Sequence, residues 1–202
     1  MTTRRRDWAV VLARGESSRM GRPKGACRLP GDRTTFLERV CDLHRGADHA
    51  VAVVTLPELA PIYADCVPAS SVDDWIRHPR GGGTAASCLA AVERLASRAT
   101  HLWFHPVDLP LVATDTLRRL SEASRATPGR IVVPRHAGVR GHPVVTPLTP
   151  WLGLRPDAHD GPMRALIDRC GAAVHYLDLP DPGICRDFDH PDDLTGPGGP
   201  AP

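Results

Sequence analysis

Residues 8–24 read WAVVLARGESSRMGRPK, and this stretch decides the fold. Its first residues, Trp8 to Ala13, form a nearly continuous apolar run. Such a run predicts a strand that is buried on both faces, as strands of parallel sheets are. The polar, glycine-containing segment that follows lies at the carboxyl end of this strand, where α/β sheets bind their ligands. The stretch therefore predicts an α/β domain with a ligand loop after its first strand.

Helical and strand-like patterns alternate along the rest of the chain. Apolar spacing predicts helices over residues 34–45, 84–98, 114–126 and 161–170. Apolar runs predict strands over residues 50–55, 101–107, 130–134, 142–146 and 173–179. This order favours one α/β domain over residues 1–195, with a mainly parallel sheet covered by helices on both faces. Residues 196–202, rich in Gly and Pro, are predicted to be a disordered tail.

Composition narrows the class of protein. A formal charge of +2 over 202 residues gives no basic stripe of the kind that nucleic-acid binding requires. The sequence shows neither a signal peptide nor an apolar stretch long enough to span a membrane, so we expect a cytoplasmic protein. The six cysteines are not spaced as zinc or redox motifs, which predicts small, reduced core residues.

The loop after the first strand has the side chains that a triphosphate needs. Its glycine spacing fits neither a Walker A loop nor a GxGxxG dinucleotide fingerprint. Gly15 allows close approach of the backbone to a ligand, and Ser17 and Ser18 add hydroxyl donors. Arg19 offers a forked donor for phosphate oxygens, and Lys24 offers a point charge. The alternative is a polar turn whose charges are solvated.

This loop resembles the LAxGxSxRMGxxK signature of the MobA-like NTP transferase superfamily, and specifically its molybdenum cofactor cytidylyltransferase branch. Four further elements, besides a GxxxS-like segment at residues 83–87, follow in the family's order. They are HPVDLP at 105–110 (resembling GDQP), RGHPV at 140–144, the Asp-Gly-x-x-Arg pattern at 160–164 (resembling GDxGAR), and DFDHPDDL at 187–194 (resembling DxDTPEDL). The resemblance implies a single Rossmann-like, three-layer domain of the nucleotide-diphospho-sugar transferase type, with a mostly parallel mixed sheet.

The resemblance also implies roles for individual residues. Arg19, Lys24 and Asp108 are expected to be catalytic, with Arg19 and Lys24 on the β- and γ-phosphates. His142, Asp160 and Arg164 are expected on the acceptor side. The nucleotide is expected to contact Leu12, Ala13, Arg14, Gly15, Ser17, Ser18, Arg19, Lys24, Gly83 and Ser87.

The expected reaction transfers an NMP group to an acceptor phosphate and releases pyrophosphate. Since that phosphate is already ionised, the site must mainly position substrates and neutralise charge. Mg²⁺ is the expected cofactor, because it binds through one or two carboxylates plus substrate phosphates. Asp108 is the first expected ligand and Asp189 the second, although Asp187 would share its face if the segment is extended.

The resemblance implies CTP, or alternatively GTP, as one substrate and a phosphorylated acceptor, most of all molybdopterin, as the other. It also implies a transient contact between this protein and the molybdenum enzyme that receives the product. Arg14 departs from the family, which has alanine or glycine there, and this leaves the choice of base open. His78-Pro79 also stands where Asn-Pro is usual. A guanylyl- or sugar-phosphate nucleotidyltransferase, or a catalytically silent nucleotide-binding module, remains an alternative.

Overall fold

The apolar run predicted to be a buried strand forms β1, Asp7–Ala13, inside a mixed sheet. The structure is a computed structural model that describes residues 4–15, 18–155, 161–169 and 171–195, without the side chain of Ser18. The predicted tail at residues 196–202 lies outside these ranges. The remaining strands are β2 Ala50–Thr55, β3 Asp74–Arg77, β4 His101–Pro106, β5 Ile131–His136, β6 Val139–Arg140, β7 Val144–Pro147 and β8 Val174–Asp178.

Five α-helices connect these strands in the described part of the chain. They are α1 Phe36–Arg45, α2 Ala60–Ala64, α3 Gly83–Leu95, α4 Thr114–Ala126 and α5 Met163–Arg169. Thr35 caps α1 in a capping box with Glu38. Ala113 precedes α4 without a side-chain cap of its own, and Asp181 accepts from the Ala113 amide.

The strand order β3-β2-β1-β4-β7-β5-β6, with β8 also paired to β5, places β1 and β4 side by side. β1 runs parallel to both β2 and β4, whereas β7 is antiparallel to β4. The predicted mixed, mostly parallel sheet is confirmed. The carboxyl ends of β1 and β4 therefore meet at one edge, with Leu12 opposite Pro106.

Alternate residues of β1 enter two separate cores. Trp8 and Val10 pack with α3 on one face of the sheet, and Ala9 and Val11 pack with α1 on the other. This alternation follows from the period of two along a strand and explains why the whole run is apolar. The result is the predicted three-layer arrangement. Within the described residues, no helix is long and apolar enough to cross a bilayer.

Candidate active site

Lys24 occupies a short 3₁₀ helix, Lys24–Ala26, after the loop that follows β1. This helix lies tightly against α2: a Cβ atom on Gly25 would stand 2.7 Å from Cε1 of the buried Tyr63 ring. Only glycine permits that approach without a shift of the ring or the backbone. The packing thus fixes the backbone from which the Lys24 side chain reaches the ends of the strands.

The ammonium group of Lys24 lies between two carboxylates. Its Nζ atom donates to Oδ2 of Asp108 at 2.6 Å and to Oδ1 of Asp189. Burial lowers the pKa of Lys24, but the hydrogen bonds to the two carboxylates oppose this and leave the pKa raised. The bond from Lys24 also lowers the pKa of Asp189. One fixed positive charge is therefore held between two acidic side chains.

Asp108 reaches this position from the turn that follows β4. The amide of Val107 donates to the carbonyl of Leu12 at 3.1 Å, which joins the turn to β1. The amide of Phe188 donates to the carbonyl of Asp108 at 3.2 Å, which joins the turn to the segment that carries Asp189. Backbone bonds thus hold the two acidic segments together without involving either carboxylate.

Asp189 is held by its neighbours in the chain. Phe188 is fully buried, with its ring centroid 5.2 Å from that of Phe36 in α1. Oδ2 of Asp193 accepts from the amides of Asp189 and His190, at 2.7 Å each. An aromatic anchor and an acceptor from the following 3₁₀ helix therefore orient the Asp189 segment.

The structure distinguishes the two aspartates between which the sequence could not choose. Asp189 contacts Lys24, and NH1 of the largely exposed Arg19 lies 3.4 Å from its Oδ2. Asp187 is exposed as a whole residue. Partial desolvation of its carboxyl group and the charge of Asp189 raise its pKa. In the described part of the chain, no three His, Cys, Asp or Glu side chains form a metal-binding group, so Asp108 and Asp189 act as a pair.

Arg14 points into a loop across the cleft from this pair. Its guanidinium donates to the carbonyls of Pro79 at 2.7 Å, Gly81 at 2.6 Å and Gly83 at 2.5 Å. It also lies 2.6 Å from Nδ1 of His78, which must act as the acceptor because a guanidinium only donates. Two of the departures from the family pattern, Arg14 and His78, therefore contact each other and together hold the loop.

A cleft of about 400 Å³ opens between that loop and the strand ends. The helix α3 begins at its wall, and Ser87, one turn into α3, is buried there with its hydroxyl 3.4 Å from the carbonyl of Gly83. Of the residues expected to bind nucleotide, Leu12, Arg14, Gly15, Gly83 and Ser87 line this cleft, as does Asp108.

A second cavity of about 430 Å³ adjoins the first, since Thr84 and Pro106 line both. His142 and Arg164, the expected acceptor residues, lie in this second cavity. Arg140 and Asp168 add two further charges, and the rest of the wall is largely apolar, with contributions from Val133, Val144, Met163, Ile167, Val174 and Tyr176. The structure thus places part of each predicted group in one of two neighbouring cavities, whereas Ala13, Arg19 and Lys24 line neither of them.

His142 presents a neutral ring to the second cavity. Burial lowers its pKa, against the opposing effects of the Phe104 carbonyl and the charge of Asp108. Its Nδ1 lies 3.3 Å from that carbonyl, which can only accept, so Nδ1 carries the proton and Nε2 is an acceptor. The backbone beside it is tight, because a Cβ atom on Gly141 would stand 2.5 Å from the carbonyl oxygen of Ile184.

Residues 9–174 match the family model described as the MobA-like NTP transferase domain. The chain belongs to this family. Among curated relatives of this NTP transferase domain, the molybdenum cofactor guanylyltransferase of Xanthomonas euvesicatoria pv. vesicatoria is 39% identical over 126 residues, 61% of this chain and 58% of that protein. The guanylyltransferase of Sinorhizobium fredii is 34% identical over 122 residues, 57% and 51% of the two chains. The aligned part thus spans between half and three fifths of these relatives.

Solved structures match this NTP transferase domain over nearly its whole length. The Mycobacterium tuberculosis protein Rv0371c is 28% identical, with a TM-score of 0.79 over 96% of this chain and 97% of that one. The molybdopterin-guanine dinucleotide biosynthesis protein A of Archaeoglobus fulgidus is 19% identical, with a TM-score of 0.65 over 93% and 95%. At that identity, the second match shows the fold alone.

Several residues that line the two cavities of the NTP transferase domain were not assigned a role from the sequence. Arg80 lines the first cleft and pairs with Glu58, and Arg140 lies 4.9 Å above the ring of Tyr176 in the second cavity. Arg140 belongs to the RGHPV motif, whereas the short strand holding Tyr176 has no motif at all. The predicted residues Ser17 and Asp160, and the side chain of Ser18, lie outside what the structure describes.

Proposed function

We propose that this protein transfers a nucleoside monophosphate from an NTP to a phosphorylated acceptor and releases pyrophosphate. The observation that carries the proposal is Lys24 held between Asp108 and Asp189, with Asp108 also lining the nucleotide cleft that adjoins the acceptor cavity. A phosphoryl group transferred between the two cavities would pass near Asp108, and Lys24 places a positive charge beside that carboxylate. Family membership supports the same class of reaction.

A divalent cation, for which we propose Mg²⁺, fits the carboxylate pair. The two aspartates already share one cation, the Lys24 ammonium, and hard cations prefer such carboxylate oxygens with the remaining positions left to water and phosphate. Asp108 and Asp189 would hold the ion, which would supply positive charge against the phosphates. A solved complex of Rv0371c from Mycobacterium tuberculosis, 27% identical with a TM-score of 0.68, contains manganese, which supports this assignment.

The chain's own residues supply the rest of the chemistry. Lys24 would leave one carboxylate and follow the phosphates, because its flexible stem carries a point charge. Arg19, whose side chain is 66% exposed, is free of dense packing and would close over the triphosphate. An acceptor phosphate is ionised at neutral pH, so the neutral His142 is assigned to hydrogen bonding through Nε2 and not to proton removal.

We propose GTP as the nucleotide. The curated relatives are named guanylyltransferases, and they support this alternative better than the CTP preference expected from the sequence. Cytidylyl transfer stays as the second candidate because the RGHPV segment, typical of the cytidylyl branch, contributes His142 to the acceptor cavity. Arg14 does not indicate which base binds, because its guanidinium already contacts four acceptors of the 78–83 loop.

For the acceptor we propose molybdopterin. The second cavity joins cationic side chains, Arg140 and Arg164, to an apolar wall that includes Tyr176. This combination suits a molecule with a flat heterocycle at one end and a phosphate at the other. A sugar phosphate would leave the apolar wall without a matching surface, which argues against a sugar-phosphate transferase.

The test is a pyrophosphate-release assay with each of the four NTPs, Mg²⁺, and either molybdopterin or a panel of sugar phosphates. The proposal predicts release with GTP and molybdopterin, lost in Asp108→Ala while GTP binding measured without a divalent cation is largely retained. Release with CTP in place of GTP would select the second candidate. No release with any pair, despite nucleotide binding, would identify a catalytically silent nucleotide-binding module.

A further inference from the structure

Three buried histidines form a hydrogen-bonded chain beneath the candidate active site. Nδ1 of His49 lies 3.0 Å from Nδ1 of His44, and Nε2 of His44 lies 3.0 Å from Nδ1 of His105. Nε2 of His105 then lies 3.0 Å from the carbonyl oxygen of Leu109. His44 and His105 are fully buried and His49 is 6% exposed. We call these three residues the histidine chain.

The last acceptor fixes the direction of every bond in the histidine chain. The Leu109 carbonyl can only accept, so His105 carries its proton on Nε2 and its Nδ1 accepts from His44. His44 therefore has its proton on Nε2 and accepts at Nδ1 from His49. Each neutral ring supplies one donor and one acceptor, and the three N–H groups and the acceptor nitrogens of His44 and His105 all have partners. Burial lowers the pKa of all three rings, which keeps them neutral at physiological pH.

The histidine chain ends at the turn that carries Asp108. Two further carbonyls of this turn are also occupied: that of Pro106 accepts from the Leu109 amide, and that of Asp108 accepts from the Phe188 amide. These two bonds come from backbone amides, whereas the Leu109 carbonyl accepts from a buried side chain, that of His105. The bond from His105 holds the residue directly after Asp108 to the strand directly before it.

We propose that His105 is a positioning residue for Asp108, held in the required tautomer by His44 and His49. The inference rests on the proposed function, in which Asp108 binds a divalent cation with the nucleotide. A fixed Leu109 carbonyl restrains the backbone next to Asp108 and so limits the directions in which its carboxylate points, and small errors in ligand direction weaken metal sites. His105 itself touches neither metal nor substrate in this role.

A matched pair of variants separates positioning from simple packing. In His105→Gln the side-chain amide reaches the place of Nε2 and still donates to the Leu109 carbonyl. In His105→Asn the amide reaches only the place of Nδ1, facing His44, and the bond to Leu109 is lost. Both variants remove the ring from the core, so both should lower the melting temperature by similar amounts.

The readout is the affinity for Mn²⁺ with GTP, measured by electron paramagnetic resonance, which needs no turnover. We expect His105→Asn to weaken Mn²⁺ binding at least tenfold and His105→Gln to stay within threefold of the wild type. Equal affinities in the two variants, whether unchanged or equally reduced, would overturn the inference. If Mn²⁺ binds normally but no pyrophosphate is released, the proposed function fails while the inference is still decided.

A second measurement covers the case in which His105→Asn does not fold. In the wild-type protein with ¹⁵N-labelled histidine, the ring nitrogen shifts at pH 7 report which nitrogen of each ring carries the proton. We expect Nε2–H for His105 and His44, and Nδ1–H for His49. A proton on Nδ1 of His105 would overturn the inference, as would wild-type protein that binds no Mn²⁺ in the presence of GTP.

Discussion

Replacement of Arg14 by alanine tests how the nucleotide cleft is built. The guanidinium has four acceptors in the 78–83 loop at 2.5–2.7 Å. A buried hydrogen bond to a charged group contributes about 1.5–3 kcal/mol. Here the loop borders an open cleft and water replaces much of each bond, so we assign about 0.5 kcal/mol per contact. Without the four contacts, the ordered conformation of the loop is destabilised by about 2 kcal/mol. Nucleotide binding must then supply this free energy to order the loop.

We therefore expect Arg14→Ala to weaken binding of GTP by about thirtyfold, because about 1.4 kcal/mol corresponds to a factor of ten. Binding of the other NTPs should fall by the same factor, since Arg14 holds the loop and does not read the base. Calorimetric titration of each NTP with Mg²⁺ measures this effect. His78→Ala, which removes one of the four acceptors, is the matched control and should cost less than tenfold.

Two results would refute this reasoning. GTP affinity within threefold of the wild type would show that the loop is ordered without Arg14. A loss confined to one nucleobase would show that Arg14 contacts the base directly, as the sequence alone allowed.

Three further predictions concern charge. Lys24→Met should abolish turnover yet raise the affinity for Mn²⁺ alone about tenfold, because the ammonium competes with the metal for Asp108 and Asp189. Unchanged Mn²⁺ affinity would contradict this. Asp189→Asn should lower kcat at least a hundredfold and Asp187→Asn less than fivefold, as compared by pyrophosphate release, and equal losses would show that both bind metal. Buried histidines with lowered pKa values, about 4 for two of the histidine chain, take up protons only on unfolding. Stability should therefore fall as pH drops from about 6.5 towards 4, by about 1.4 kcal/mol per pH unit for each such histidine. Urea unfolding at stepped pH measures this, and a flat profile would contradict it.

Much of the fold could be predicted because its strands and helices have regular apolar patterns. The predicted helix over residues 114–126 has the observed bounds, and most other elements are displaced by one to three residues at an end. The helix α2 and the strands β3 and β6 were missed. The strand β3 begins at Asp74, a buried carboxylate that pairs with Arg94 and Arg98, twenty or more residues further along the chain. A charged residue of this kind interrupts the apolar pattern by which a short strand is predicted.

Part of the candidate site could likewise be predicted from local motifs, and part depends on contacts between distant residues. Lys24, Asp108 and Asp189 belong to local motifs, and the structure brings them into contact. The partners of Arg14 lie 64 to 69 residues away along the chain, so no local pattern shows that its guanidinium points into a loop. The histidine chain likewise joins α1, the start of β2 and β4, and only the assembled sheet brings those elements together.

The most direct test of the account is the binding of Mn²⁺ to the wild-type protein and to Asp108→Asn, by electron paramagnetic resonance with and without GTP. The carboxylate pair supplies too few ligands by itself, so triphosphate oxygens must complete the site. We predict one Mn²⁺ per chain that binds at least tenfold more tightly with GTP, and loss of this enhancement in Asp108→Asn. An Mn²⁺ affinity that does not change when GTP is added, or a GTP-dependent enhancement that is unchanged in Asp108→Asn, would contradict a metal-assisted nucleotidyl transfer site at the ends of β1 and β4.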